Sequence, residues 1–287
     1  MAFNVQTFKT RAFTALIFVV VMMAGLLYNR LSFFILFSIV HFGAWMEYQK
    51  LVAGFNPDYS KIIPFHRYGI MVAGWCLLLF FTNDTFLIGD VSLADIGFWT
   101  GILFMILLPA IMLMESKLIF LKNIIYSLFG VLYISLPLAL MVDLRTQWDE
   151  AVYQLSVTLP LLIIFSLWIN DTMAYLVGSF IGKTPLSKIS PKKTWEGTIG
   201  GILLTIMIMG LLAHWTKRLS VADAMIISAL AAISGTFGDL FESKLKRMAG
   251  VKDSGTLMPG HGGFLDRFDS LLFAIVIAWF YIAWFIK

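Results

Sequence analysis

The chain has 287 residues, of which 60% are apolar and 13% are charged, whereas soluble domains contain about 45–50% apolar and about 25% charged residues. A soluble chain of this length has too little interior to bury so much apolar surface. The composition therefore excludes a soluble enzyme, a disordered chain and a disulfide-stabilised scaffold. It predicts an all-α, polytopic integral membrane protein.

Nine segments are apolar and long enough to be predicted membrane spans, each of which needs about 20 residues. The first follows Lys9 and Arg11 in the manner of a signal peptide, but it lacks a clear cleavage site, so we expect it to be retained. The nine predicted spans are residues 12–29, 31–47, 68–83, 97–114, 123–143, 155–176, 197–215, 221–240 and 268–286.

The basic residues are divided unevenly between the two sides of these spans. Alternate connecting segments hold 16 of the 21 lysines and arginines, and segments rich in Lys and Arg stay in the cytoplasm. We therefore predict a cytoplasmic N-terminus, a C-terminus outside, and a bacterial inner membrane location with the site on the cytoplasmic face. Because the basic residues are spread over five short cytoplasmic segments, the sequence argues against nucleic-acid binding.

The first 150 residues contain few polar side chains within their spans. We interpret residues 1–150 as a scaffold of transmembrane helices. His41 is interpreted as a packing side chain, and Glu47 as a surface partner of Lys50, three residues later on the helix. No chemistry is predicted in this half.

The second half, residues 151–287, is the predicted catalytic region. It carries two long basic segments, 177–196 and 241–267, which are expected to be cytoplasmic loops. Acidic side chains lie at membrane depth beside them, and such groups normally face protein or a wet cavity. The alternative is that these acids only cap helix ends at the membrane interface, which suits Asp269 at a helix start and suits Asp239 least. These acids are Asp171, Asp239, Asp266 and Asp269.

Polar residues after Asp239 follow a helical repeat. Asp239, Glu242, Ser243 and Lys246 fall on one helical face, and this stripe suits one wall of a polar pocket. The next segment, residues 250–263, is rich in glycine, and backbone N–H groups in such loops suit phosphate oxygens. Carboxylates beside a phosphate site suit Mg²⁺. A flexible solvated connection is the alternative for this segment.

The segment at 177–196 superficially resembles a phosphate-binding P-loop. Its glycine spacing is one residue short and it follows a predicted membrane helix, so we reject a P-loop. Lys192 and Lys193 either contact anionic lipid or bind a substrate phosphate. The four histidines lack the spacing of zinc ligands, and the chain has no G-x-S-x-G motif for a serine nucleophile.

Two segments carry a resemblance to a known family. Ser243 to Arg247, then Lys252-Asp253, then Pro259 to Asp269, match the pattern S-x-x-K-R, K-D and P-x-H-G-G-x-x-D-R-x-D, and Ser190 to Gly197 matches S-P-K-K-T-x-E-G. The chain thereby resembles the phosphatidate cytidylyltransferase family (CDP-diacylglycerol synthases) over roughly residues 165–270.

The resemblance implies an integral membrane enzyme that joins CTP to phosphatidic acid and releases pyrophosphate. It also implies Mg²⁺, together with a second, monovalent cation such as K⁺. The metal-binding aspartates of the family would fall on Asp239 and Asp266, with Asp269 adjacent. We expect membrane lipids as further partners and a homodimer as the assembly.

Roles for the remaining residues combine the resemblance with their chemistry. Lys246, Arg247 and Lys252 would offset phosphate charge, and Ser190, Lys192 and Lys193 would hold a triphosphate or lipid phosphate. Asp171 and Glu196 would orient these lysines, and Gly262 and Gly263 would let the backbone approach a phosphate. Further residues predicted to bind substrate are Lys183, Thr194, Ser243, Asp253, His261 and Arg267.

Two other functions remain as alternatives at this point. A CTP-dependent lipid kinase of the polyprenol or phytol type would also need a cytoplasmic, cation-rich site. An anionic-solute transporter would instead carry polar residues through the middle of several spans, whereas the polar residues here cluster at one face.

Overall fold

The structure is a computed structural model, and it describes residues 5–114, 120–148, 153–256 and 262–286. A π-helical segment (Val131–Ser135) joins two of the helices, a 3₁₀ helix (Pro57–Lys61) precedes α3, and an antiparallel hairpin of β1 (Leu87–Ile88) and β2 (Val91–Ser92) precedes α4. The described α-helices are α1 (Val5–Leu27), α2 (Arg30–Phe55), α3 (Pro64–Phe80), α4 (Leu93–Met114), α5 (Phe120–Gly130), α6 (Leu136–Thr146), α7 (Tyr153–Ile181), α8 (Trp195–Thr216), α9 (Val221–Met248) and α10 (Leu265–Phe285).

Seven helical segments in the described part of the chain are long and apolar enough to cross a membrane. They comprise α2, α4, the joined α5 and α6, and α7 to α10. The other two predicted spans, 12–29 and 68–83, fall on α1 and α3, which are not among these seven segments. Helix α3 has 17 residues. The chain is therefore an all-α, polytopic integral membrane protein, as its composition predicts.

Two predicted loops are shorter than expected, because the helices before them continue. α7 runs to Ile181 and α9 runs to Met248, so the first residues of segments 177–196 and 241–267 are helical. Residues 239–249 contain neither Pro nor Gly, and nothing in their covalent structure interrupts a helix there. The predicted polar stripe therefore lies on one continuous helix.

Gly250 ends α9 in a left-handed conformation, with a φ of +71°. The Gly250 N–H donates to the carbonyl of Arg247 at 3.1 Å, and the Val251 N–H donates to the carbonyl of Lys246 at 2.9 Å. These two bonds form a Schellman motif, which glycine favours because it has no Cβ. Gly250 thus terminates α9.

The helices of the catalytic half pack closely through small residues. A Cβ at Gly201 in α8 would lie 2.8 Å from the Cβ of Ala174 in α7. A Cβ at Gly238 in α9 would lie 2.5 Å from the backbone oxygen of Asp269 in α10. Small residues let helix backbones approach closely in membranes, and here they bring polar side chains of four helices together.

The N-terminal half is held by buried polar contacts as well as apolar packing. His41 is fully buried, and its Nε2 lies 2.9 Å from the hydroxyl of Ser135, at the end of the π-helical segment. Trp45 Nε1 donates to the same hydroxyl at 2.9 Å. His41 is therefore a packing side chain, as predicted.

Candidate functional site

A polar cavity of about 450 Å³ lies among α7, α8, α9 and α10. Seven of the predicted site residues contribute to its wall, namely Asp171, Lys192, Lys193, Thr194, Asp239, Asp266 and Asp269. Further lining residues, which the sequence did not single out, are Asn170, Ala174, Tyr175, Gly178, Ser179, Thr198, Thr236 and Ser270. The two segments identified in the sequence thus meet at one site.

Three carboxylates from two helices lie together beside this cavity; Asp239 and Asp269 line it, and Glu242 lies behind its wall. Asp239 and Glu242 lie three residues apart on α9, and Asp269 lies on α10. One oxygen of each lies within 4.8 Å of the others. Glu242 is fully buried; its Oε2 forms an ion pair with Lys246, and its Oε1 has no hydrogen-bond partner among the described residues. Carboxylate oxygens grouped in this way suit a hard divalent cation.

Asp266 faces a different set of partners. Its Oδ2 accepts hydrogen bonds from the Ser254 N–H at 2.8 Å and from the Gly263 N–H at 2.8 Å. Its Oδ1 accepts one from Lys246 Nζ at 2.6 Å. Asp266 therefore organises the segment between α9 and α10. The close group of acids is Asp239, Glu242 and Asp269, and ligation of a cation by Asp266 stays a prediction.

Gly262 and Gly263 contribute to this arrangement through their backbone, and their approach to a phosphate stays a prediction. Gly262 has a φ of +81°, and a Cβ there would collide with the Asp266 carboxylate. Glycine adopts this left-handed conformation without the steric cost that other residues bear. The glycine pair thus allows the chain to fold back onto Asp266.

Lys193 enters the cavity from the segment between α7 and α8. It forms an ion pair with Asp239. Burial lowers the pKa of the Lys193 ammonium, but the carboxylates of Asp239, Asp171 and Asp269 together outweigh that effect, and the pKa lies above its usual value. Lys193 is therefore a permanent positive charge at the site. Lys192 is exposed at the cavity wall.

Glu196 shapes the segment that carries these lysines. Its carboxylate accepts hydrogen bonds from Thr184 Oγ1 at 2.8 Å, from the Thr184 N–H at 3.1 Å and from the Lys183 N–H at 3.2 Å. Thr194 caps α8 by accepting the Gly197 N–H at 3.1 Å. Glu196 therefore fixes the backbone at Lys183 and Thr184, in the segment that carries Lys192 and Lys193. Its predicted role in orienting the two lysines would act through this backbone.

Other predicted residues lie outside the cavity wall. Arg247 donates to the carbonyl of Val251 at 3.0 Å and so closes the end of α9. The Ser190 carbonyl accepts the Lys193 N–H at 3.1 Å in the turn that leads to the cavity. Lys252 and Asp253 are exposed after α9, and His261 lies outside the described residues. The others off the cavity wall are Lys183, Glu196, Ser243, Lys246, Gly262, Gly263 and Arg267.

The interpretation of Glu47 as a surface partner of Lys50 is wrong. Glu47 is only 6% exposed and its carboxylate accepts hydrogen bonds from Ser254, Phe264 and Leu265. These partners are 207 to 218 residues away along the chain, so no local pattern could reveal the contact. Glu242, in contrast, follows Asp239 at helical spacing, and that spacing was a usable signal.

The chain is similar to proteins named phosphatidate cytidylyltransferase. Phosphatidate cytidylyltransferase 4, chloroplastic, of Arabidopsis thaliana is 49% identical over 114 residues, which are 39% of this chain and 29% of that protein. The Aquifex aeolicus protein is 41% identical over 122 residues, 42% of this chain and 46% of the relative. The Synechocystis protein is 36% identical over 153 residues, 51% of this chain and 52% of the relative.

These alignments thus span between 29% and 52% of the relatives' own lengths. The sequence profile of the cytidylyltransferase family extends much further along this chain, from residue 9 to residue 285. With nearly the whole chain matched, and with the cavity formed by the segments that carry the family motifs, the chain belongs to the cytidylyltransferase family.

Proposed function

We propose that the chain is a CTP:phosphatidate cytidylyltransferase, which transfers CMP from CTP to phosphatidic acid. The observation that carries the proposal is the shared cavity: carboxylates of α9 and α10 face lysines of the preceding segment. Both substrates are polyanions, and such a site neutralises and aligns them. The printed names of the similar proteins agree with this activity.

The reaction forms one phosphorus–oxygen bond and breaks another. An oxygen of the lipid phosphate attacks the α-phosphorus of CTP, the bond from that phosphorus to the bridging oxygen breaks, and pyrophosphate leaves with the electron pair. Since the nucleophile is already an oxyanion, no strong base is needed. The protein contributes by positioning both substrates and by stabilising the charge that develops.

The acids that fit Mg²⁺ in this site are Asp239, Glu242 and Asp269. Their oxygens are close together, and the buried Glu242 carboxylate has capacity left for a ligand beyond its ion pair with Lys246. When bound, Mg²⁺ supplies charge neutralisation on the phosphate oxygens. Direct ligation by Asp266, and a second, monovalent cation, stay predictions.

The lysines are proposed to hold phosphate groups. Lys193 keeps its positive charge deep in the cavity beside Asp239, where it stabilises negative charge on a transferring phosphorus centre. Lys192, exposed at the wall, is placed to contact a phosphate that arrives from water or from the lipid surface. Asp171 lies on the same wall and balances the charge of these lysines.

The finer topology also belongs to the proposal. A cytoplasmic N-terminus, a C-terminus outside and a cytoplasmic active site are supported by the uneven distribution of basic residues. A bacterial inner membrane as the location is supported by the bacterial relatives. CTP is then met on the cytoplasmic side, and phosphatidic acid reaches the site from the bilayer. The homodimer stays a prediction, which light scattering of the detergent-solubilised protein tests.

The position of a radioactive phosphorus in CTP distinguishes the possible reactions. Purified chain in phosphatidic acid nanodiscs with Mg²⁺ should move label from the α position of CTP into the lipid and label from the γ position into pyrophosphate. In parallel nanodiscs that contain a polyprenol, transfer of the γ label to that alcohol would instead identify a kinase. Lipid that stays unlabelled from either position would reject the proposal.

A further inference from the structure

A carboxylate of the N-terminal half is built into the catalytic half. Glu47, in α2, accepts hydrogen bonds on Oε2 from Ser254 Oγ at 2.7 Å and from the Leu265 N–H at 2.9 Å. Its Oε1 accepts the Phe264 N–H at 2.9 Å. The two backbone donors lie at the start of α10, where N–H groups have no partner within the helix and negative charge is favourable.

Glycines in the α9–α10 segment and in α2 leave the space that this contact needs. A Cβ at Gly255 or at Gly263 would collide with the Glu47 carboxylate. One helical turn earlier in α2, a Cβ at Gly43 would collide with the ring of Phe264. Gly43 and Glu47 share a helix face because they are four residues apart. The face of α2 that carries Gly43 and Glu47 therefore binds the end of the α9–α10 segment specifically.

The contact reaches the polar cavity through a short chain of side chains. The Ser254 hydroxyl lies 2.7 Å from Glu47 Oε2 and 2.9 Å from Asp266 Oδ2. Asp266 lies on the cavity wall and binds Lys246 Nζ at 2.6 Å. Lys246 also forms an ion pair with Glu242, so the position of an acid in the proposed cation group depends on contacts that begin at Glu47.

We infer that Glu47 is a positioning residue for nucleotidyl transfer. It does not line the cavity; instead it fixes the start of α10 so that Asp266 and Asp269 face the substrates. The kinetic part of this inference rests on the proposed function. A displacement of about 1 Å at such a site lowers the rate by on the order of 100-fold. A contact that fixes the start of α10 therefore has a large effect on the rate of transfer.

The test combines turnover with amide hydrogen exchange on the full chain in nanodiscs. Glu47→Gln keeps the size of the side chain but replaces one accepting oxygen with a donor. We expect its kcat to fall by about 10- to 100-fold, while the KM for CTP changes by less than about threefold. Exchange at Phe264 and Leu265 should accelerate by about tenfold or more, because a charge-assisted hydrogen bond contributes about 1.5–3 kcal/mol.

Two further variants serve as controls. Glu47→Asp keeps both accepting oxygens and should recover part of the lost kcat and exchange protection. Ser135→Ala removes the hydroxyl that binds His41 and Trp45 elsewhere on α2 and should leave kcat and the exchange at the start of α10 unchanged.

Unchanged exchange at Phe264 and Leu265 in Glu47→Gln would overturn the inference, as would a loss of kcat in Ser135→Ala equal to that in Glu47→Gln. The exchange measurement needs no turnover. If the wild-type chain forms no CDP-diacylglycerol, the proposed function fails, and exchange still decides whether Glu47 holds the start of α10.

Discussion

Lys193, from the segment between α7 and α8, forms an ion pair with Asp239 in α9. The contact joins the two polar segments of the catalytic half across the cavity. It also places a positive charge against the acids that fit a divalent cation. The site therefore offers a positive charge to substrate phosphates and negative charges to a cation before either one binds.

Replacing Asp239 with Asn should abolish transfer without unfolding the protein. The amide keeps the shape of the side chain but removes the negative charge that suits a cation and pairs with Lys193. We expect CDP-diacylglycerol formation to fall by on the order of 100-fold or more, measured with purified protein.

Asp223→Asn is the matched control, since Asp223 lies at the other end of α9 and binds Tyr281. It should keep wild-type turnover. Full activity in Asp239→Asn, with thermal unfolding unchanged, would remove Asp239 from the site.

Lys192→Ala should mainly weaken binding of a phosphate substrate. Loss of one charged hydrogen bond contributes about 1.5 kcal/mol or more, which corresponds to about a tenfold rise in the apparent KM for CTP or phosphatidic acid. Lys188→Ala is the control, because Lys188 is an exposed lysine of the same segment that does not line the cavity. Equal kcat and KM in the two variants would show that Lys192 binds no substrate phosphate and would leave contact with anionic lipid as its role.

Gly43→Ala should destabilise the fold. The added methyl group would meet the Phe264 ring, and overpacking of this kind costs about 1–3 kcal/mol. At Gly101 a Cβ would make only ordinary contact, 3.4 Å from the Cβ of Cys76. Thermal unfolding in detergent should therefore show a lower Tm for Gly43→Ala than for Gly101→Ala. The reverse order would contradict the packing of α2 against the α9–α10 segment.

The proposed orientation predicts opposite labelling of the two ends of α8. Lys188→Cys and Lys217→Cys each place a thiol at an exposed position, on either side of this helix. In a Cys76→Ala background, an impermeant maleimide should label Lys188→Cys from the cytoplasmic side only and Lys217→Cys from the outside only. Labelling of both from one side, or in the reverse sense, would refute the orientation.

Composition and hydropathy were sufficient to predict the architecture. Each predicted span lies on a helix because runs of apolar residues must bury or face lipid wherever they occur. Helix ends were harder to place: α9 continues to Met248 because residues 241–248 favour a helix despite their charge. The polar stripe predicted from Asp239 to Lys246 follows from that continuity.

The hydrogen-bond and ion-pair partners of individual acids could not be predicted from spacing along the sequence. Asp266 and Asp269 lie three residues apart on α10, yet one binds Lys246 and backbone N–H groups while the other faces Asp239 and Glu242. Asp269 lies where α9 and α10 approach closely, since a Cβ at Gly238 would be 2.5 Å from the backbone oxygen of Asp269. The partners of Glu47 could not be predicted either, because they come from the opposite end of the chain.

Binding of Mn²⁺, followed by electron paramagnetic resonance on the full chain in nanodiscs, tests most directly whether the acids of α9 and α10 hold a divalent cation. We expect a saturable site in the wild-type chain, displaced by Mg²⁺, with affinity lowered by about 10- to 100-fold in Glu242→Gln and lost in Asp239→Asn. Equal Mn²⁺ affinity in the wild-type chain and both variants would contradict the account.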